Sequence, residues 1–203
     1  VTNASERVAR SFSRRLGYLH ESKDAQQIVE NWLKPEGFLG EVSSLSNLKR
    51  DMLENIAPVN QRAVLTGLLR GVEKSEFTAI TNPNRFDSIR LIRSLAYDPL
   101  LFDDAVTALI KFAVKEPDDY KSDSSRDVLQ SLFNSHLSGT LAPPEDRAVL
   151  LRKLAFSENP SESKLALFLL RAALVTRHFS SSYGFDFGAL KRSYGWHPRT
   201  LEE

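Results

Sequence analysis

The sequence predicts an all-α fold: an irregular right-handed solenoid of antiparallel helix pairs, ended by an aromatic-rich C-terminal cap segment. Three observations predict it. Apolar residues recur every three to four positions along nearly the whole chain, and no stretch alternates with period two for long enough to make a strand. Proline and cap residues punctuate the chain at helix-length intervals. Finally, Leu91-Ile92-Arg93-Ser94-Leu95-Ala96-Tyr97 is echoed by Leu150-Leu151-Arg152-Lys153-Leu154-Ala155-Phe156, the internal similarity expected of stacked helix pairs of the HEAT or TPR kind.

Taken in order, Ser5 to His20 reads as an amphipathic surface helix, with Val8, Phe12, Leu16 and Leu19 on one stripe and Arg7, Arg10 and Arg14 opposite. Lys23 to Leu33 follows, with Ala25, Ile28, Val29 and Trp32 turned inward, and Lys34-Pro35-Glu36-Gly37 stops it. Gly37 to Ser44 reads as a loop or hinge. Leu45 to Ala57 and Asn60 to Val72 are the next helices, split at Pro58. Thr78 to Arg85 breaks the pattern and suggests a boundary near residue 80. Phe86 to Tyr97 is a helix, and Asp98-Pro99 opens another: aspartate suits the N-cap, and proline at the first helical position gives up a hydrogen bond that was absent anyway. Asp123 to Asn134, Pro143 to Phe156 and Asn159-Pro160 to Thr176 complete the set. In the echo Ala105 corresponds to Ala166 and Leu109 to Leu170. The expected division is an N-terminal helical subdomain (1–80), a helical-repeat subdomain (81–176) and an aromatic-rich segment (177–203).

Composition narrows the chemistry. The chain has 203 residues, 41% of them hydrophobic and 26% charged, with a formal net charge of +1 and no cysteine. Thiolate catalysis, iron–sulfur clusters and cysteine zinc sites are therefore ruled out, and a reducing, cytoplasmic setting fits. No apolar run of about 18 residues exists to span a membrane. Charge is uneven: the two ends are mildly basic and residues 98–130 are acidic. The chain starts at Val1 and its only methionine is Met52, so it is expected to be a piece of a longer protein.

Reactive motifs are missing. There is no Walker loop and no Gly-x-Gly-x-x-Gly. Leu100-Leu101-Phe102-Asp103-Asp104 imitates a Mg²⁺-holding strand end, but it follows Asp98-Pro99, so its acids fall in the first turns of a helix, where they suit the dipole. His20, His136, His178 and His197 lack a second His or Cys at i+3 or i+4, so no zinc site is expected. No Gly-x-Ser-x-Gly elbow is present. No catalytic residue and no cofactor is expected.

Two stretches stand out as binding candidates. Phe179, Tyr183, Phe185, Phe187, Tyr194 and Trp196 crowd the tail with Lys191 and Arg192. They read either as a cap over the open end of the solenoid or as a surface that stacks on and charges toward a ligand. Arg7, Arg10 and Arg14 read as a solvated face, a phosphate-lining stripe or the counterpart of an acidic partner.

Arg14-Arg15-Leu16-Gly17-Tyr18-Leu19-His20, Ile56-Ala57-Pro58-Val59 and the tail strings His178-Phe179-Ser180-Ser181, Phe185-Asp186-Phe187-Gly188 and Tyr194-Gly195-Trp196 resemble the helical region that follows the ATPase core in bacterial STAND-type signalling NTPases. The resemblance implies a regulatory or sensing arm rather than the ATPase, since none of that family's nucleotide-binding residues has a counterpart here. The expected function is that of a non-catalytic protein-interaction or ligand-sensing helical module, whose partner is a protein or another domain of a longer chain. The alternative is a nucleic-acid-binding helical repeat.

Overall fold

In the computed structural model, which describes residues 4–120, 124–177, 186–198 and 200, the described residues are all-helical. Ten α-helices and one 3-10 turn carry the chain, and the only strand-like pairing among them is an isolated bridge between Phe187 and Leu190. Contacts divide the chain into two units: Val1–Phe77 with Asp186–Lys191, and Thr78–Phe185 with Arg192–Glu203.

In the first unit, α1 (Ala4–Gly17) packs on α3 (Asn47–Ile56), and α2 (Lys23–Leu33) packs on α4 (Gln61–Val72). Ser22 caps α2 by accepting from the Ala25 N–H at 3.3 Å, and Asn60 caps α4 by accepting from Ala63 at 3.0 Å. Val29, Leu39, Ile56, Val64 and Leu65 form the centre of the core. Gly67 and Gly71 share one side of α4, which lets the side chains of Val42 and Phe77 approach its backbone closely. The short helix α5 (Ser75–Thr78) carries Phe77; the sequence reading places its last residue, Thr78, at the start of a break and assigns no helix to the rest.

Residues 37–44, read as a loop or hinge, form a loop with one 3-10 turn, packed against the unit. Leu39 is fully buried, its N–H donates to the Trp32 carbonyl at 2.8 Å, and the 3-10 turn Val42–Ser44 lies against α4. A Cβ on Gly37 would lie 2.5 Å from the carbonyl oxygens of Asn31 and Trp32, so glycine serves close approach there rather than hinge freedom.

The second unit holds α6 (Arg85–Leu95), α7 (Pro99–Ala113), α8 (Ser125–Phe133), α9 (Pro144–Ala155) and α10 (Pro160–Ala173). Consecutive helices α6, α7 and α8 pack on one another, and α10 packs on both α8 and α9. Both expected Asx-Pro starts are present. Asp98 accepts from the Leu100 N–H at 2.8 Å and Asn159 from the Ser161 N–H at 3.0 Å. α7 is buried on more than one side, with Phe102, Ala105, Val106, Leu109 and Phe112 out of solvent.

Helix ends in both units are tied off by arginines from other elements. Arg85 Nη2 donates to the Phe112 carbonyl at 3.1 Å, at the end of α7. Arg147 Nη1 donates to Asn134 at 2.6 Å, just past α8, and Arg70 donates to Leu33 at the end of α2. The last carbonyls of a helix lack intrahelical donors and carry partial negative charge, so a guanidinium satisfies both needs at once. Arg147 is buried, and desolvation pushes its pKa below the usual arginine range.

Candidate functional site

The first helix departs most from its sequence reading. An amphipathic helix is expected to bury its apolar stripe, yet α1 buries Ser13, Leu16 and Gly17. Asn55 Nδ2 donates to Ser13 Oγ at 3.0 Å, Arg10 pairs with Asp51, and Gly17 sits so close to α3 that a Cβ would run into the Asn55 carbonyl oxygen. Asp51 and Asn55 are one turn apart on α3, and they meet Arg10, Ser13 and Gly17, which recur at helical spacing on α1. The docked side is therefore mostly polar and small, with Leu16 the one member of the expected stripe that it buries. Val8 (68% exposed) and Phe12 (53%) face outward, as does Leu19.

A second outward apolar stripe lies beside it. Ala25, Val29 and Leu33 bury the inner face of α2. Ile28 and Trp32, expected inward, fall on its flank, where Ile28 is exposed and Trp32 half-buried. The two stripes meet through aromatic rings. Phe12 and Trp32 have centroids 6.3 Å apart, and Trp32 and Phe38 are 5.9 Å apart in an edge-on arrangement. Lys49 Nζ sits 4.4 Å from the Phe38 ring centroid and donates to the Phe38 carbonyl at 2.8 Å. One signal in the sequence points to this patch: the i, i+4, i+8 set Ala25, Val29 and Leu33 already completes an inner stripe, leaving Ile28 and Trp32 surplus.

Arg7, Arg14 and Arg15 are exposed on α1, and none is paired with a described residue. Arg10, grouped with them by sequence, is engaged by Asp51 instead. Arg15, which the sequence reading did not single out, borders the apolar stripe.

The tail is distributed differently. Phe179, Tyr183 and Phe185 lie outside the described residues. Phe187 is buried, and its N–H and carbonyl pair with those of Leu190. Gly188 has φ +59° and sits against Pro58 Cγ, which a Cβ would approach to 2.5 Å. Arg192 donates to the Ser94 carbonyl at 2.5 Å and lies over the Tyr97 ring; burial pushes its pKa down to about 10. Trp196 is half-buried, and its N–H donates to the Thr140 carbonyl at 2.6 Å. Lys191 and Tyr194 are exposed.

The second unit holds a cleft of about 660 Å³ where the end of α7 meets the starts of α8 and α10. The Glu116 side chain forms its base and is completely buried. Oε1 accepts from Arg85 Nη2 at 2.6 Å, the Ser125 N–H at 2.8 Å and Ser125 Oγ at 2.7 Å; Oε2 accepts from Ser124 Oγ at 2.8 Å. Burial alone would raise the Glu116 pKa, but the donors from Ser125, Ser124 and Arg85 outweigh it and hold it below the ordinary value. At the rim, Asp118 joins Lys164 at 2.6 Å and Arg126 at 3.7 Å. A carboxylate this well satisfied keeps no lone pair for a substrate and carries no proton to give. Its work is to cap α8 and neutralise Arg85. Among the described residues no three His, Asp or Glu side chains are grouped to hold a metal ion. None of the described helices is long and apolar enough to cross a membrane.

Comparison with family models, with curated proteins and with solved structures finds no match to the chain.

Proposed function

We propose that the chain is a non-catalytic helical interaction module, in which α6–α10 act as stacked antiparallel pairs of a right-handed solenoid and α1–α2 present a recognition face. The observation that carries this reading is the docking of α1, which buries Ser13 and Gly17 beside Leu16 and leaves Val8, Phe12 and Leu19, the rest of its apolar stripe, in solvent. Apolar side chains gain roughly 25 cal/mol per Å² when water is removed from them, so a helix that spends its polar side on its own fold leaves its apolar side for another molecule. Further support comes from the main buried carboxylate, Glu116, which is committed to structure. In this reading the partner is a protein or another domain of a longer chain, as in the regulatory arm of STAND-type NTPases.

The test uses the intact chain as bait beside a Val8→Ser/Phe12→Ser variant. The expected result is a protein retained by the wild type and lost by the variant at an unchanged melting temperature. Turnover in a broad hydrolase and transferase screen, abolished by one side-chain substitution, would overturn the reading.

Arg7, Arg14 and Arg15, exposed on α1 and unpaired among the described residues, favour a second reading, binding to nucleic acid. It requires affinity for DNA or RNA that falls steeply with salt. Absence of binding at about 50 mM salt, where phosphate contacts are strong, removes it.

A further inference from the structure

We propose that the patch formed by Val8, Phe12, Ile28, Trp32 and Phe38 is a docking site for an amphipathic helix of a partner protein, with acidic residues along the edge that faces α1. The inference rests on the interaction-module reading and specifies its partner. The apolar part of the site is built from two helices and a turn, held together by the Phe12–Trp32–Phe38 ring contacts. Lys49 over the Phe38 ring and its bond to the Phe38 carbonyl fix the far aromatic in place. A patch with i, i+4 anchors on both helices matches the apolar stripe of a helix laid across it.

Charge then selects the occupant. Arg7, Arg14 and Arg15 lie exposed on α1 and unpaired among the described residues, whereas Arg10 is neutralised by Asp51. That edge attracts carboxylates. On α2 and the turn after it the charges are mixed: Lys23 and Asp24 precede Ile28, Lys34 and Glu36 precede Phe38, all four exposed, and Lys49 lies over the Phe38 ring. No single sign is set there. The complementary ligand therefore carries Glu or Asp along the edge of its apolar stripe that meets α1. An anionic membrane surface would also be drawn to the arginines, and the vesicle arm of the test separates it from the helix, whose apolar stripe matches the i, i+4 anchors.

The experiment follows Trp32 fluorescence in the full chain carrying Trp196→Phe, which leaves Trp32 as the single indole. Three probes are titrated: a synthetic amphipathic helix with Glu along one edge and Gln along the other, the same helix with Lys in place of Glu, and phosphatidylserine-containing vesicles. The expected result is a saturable blue shift with the Glu helix, weakened by salt. Phe12→Ser, or Arg7→Glu with Arg14→Glu and Arg15→Glu, should lower that affinity at least about tenfold, the scale of a lost anchor, with far-UV dichroism unchanged. The proposal is overturned by a flat response to the Glu helix, by an equal response to the Lys helix, by vesicles giving the larger shift, or by dimerisation of the chain alone through this patch in sedimentation. Failure here is separable from failure of the interaction-module reading. A flat response to the Glu helix, together with a bait that retains the same protein equally with and without Phe12→Ser, sinks the docking assignment alone; a bait that retains nothing sinks both.

Discussion

Glu116 shows how much can depend on a single side chain. Breaking a buried ion pair leaves the surviving charge uncompensated, so Glu116→Gln should cost roughly 3–5 kcal/mol, the range for such losses, measured by urea unfolding at neutral pH. The pH dependence has a definite sign. The carboxylate is held below its ordinary 4.5 in the folded state, so its contribution is complete above that value and is lost as the medium is acidified through the lower, folded pKa. The stability gap between wild type and Glu116→Gln should therefore narrow at acid pH; a gap that widens would contradict the hydrogen-bond assignment. Gly17 is the second sensitive position. Gly17→Ala places a methyl group against the Asn55 carbonyl oxygen and should cost about 1–3 kcal/mol, as overpacking does, also read from urea unfolding. Neither role was legible in the sequence. A glutamate amid acids and a glycine in an Arg-Leu-Gly-Tyr string look ordinary until the chain segments that surround them are known.

At the scale of elements, periodicity and cap chemistry were informative because both are local. The Asp98-Pro99 and Asn159-Pro160 starts could be read directly, since proline and an Asx side chain act within one turn. Which side of a helix is buried depends on its neighbours, and there the pattern misled for α1. The internal echo makes the same point. Leu109 and Leu170 occupy equivalent places, yet Leu109 is fully buried between neighbouring helices, while Leu170 on α10 is 42% exposed. Leu109→Ala should cost about 2–5 kcal/mol, as for a buried leucine, and Leu170→Ala under about 1 kcal/mol. Thermal unfolding of the pair checks this; equal losses would mean that the outer side of α10 is covered. By the same reasoning Phe12→Ser should change stability by no more than about 0.5 kcal/mol, because its ring lies largely in solvent. The surplus stripe of Ile28 and Trp32 was present in the spacing, but only the completed inner stripe of α2 gives it meaning.

For the molecule as a whole, the all-α class was legible because a long chain without period-two alternation has few alternatives. The division of the tail was not, since Phe187 and Arg192 are five residues apart in sequence and belong to different units. If the chain bound nucleic acid, its affinity would fall by orders of magnitude between low and moderate salt; we expect no such dependence with DNA or RNA, and a gel-shift titration across salt checks it. The arginine-tied helix ends carry a further implication. A guanidinium holds its proton throughout the acid range, so the fastenings at Leu33 and Asn134 do not titrate as the medium sours. Among the described residues, only the joint between α7 and α8 contains a fully buried carboxylate as a working part. Acid should thus loosen the molecule at one seam first, with amide exchange rising around Ser125 while the ends of α2 and α8 stay protected.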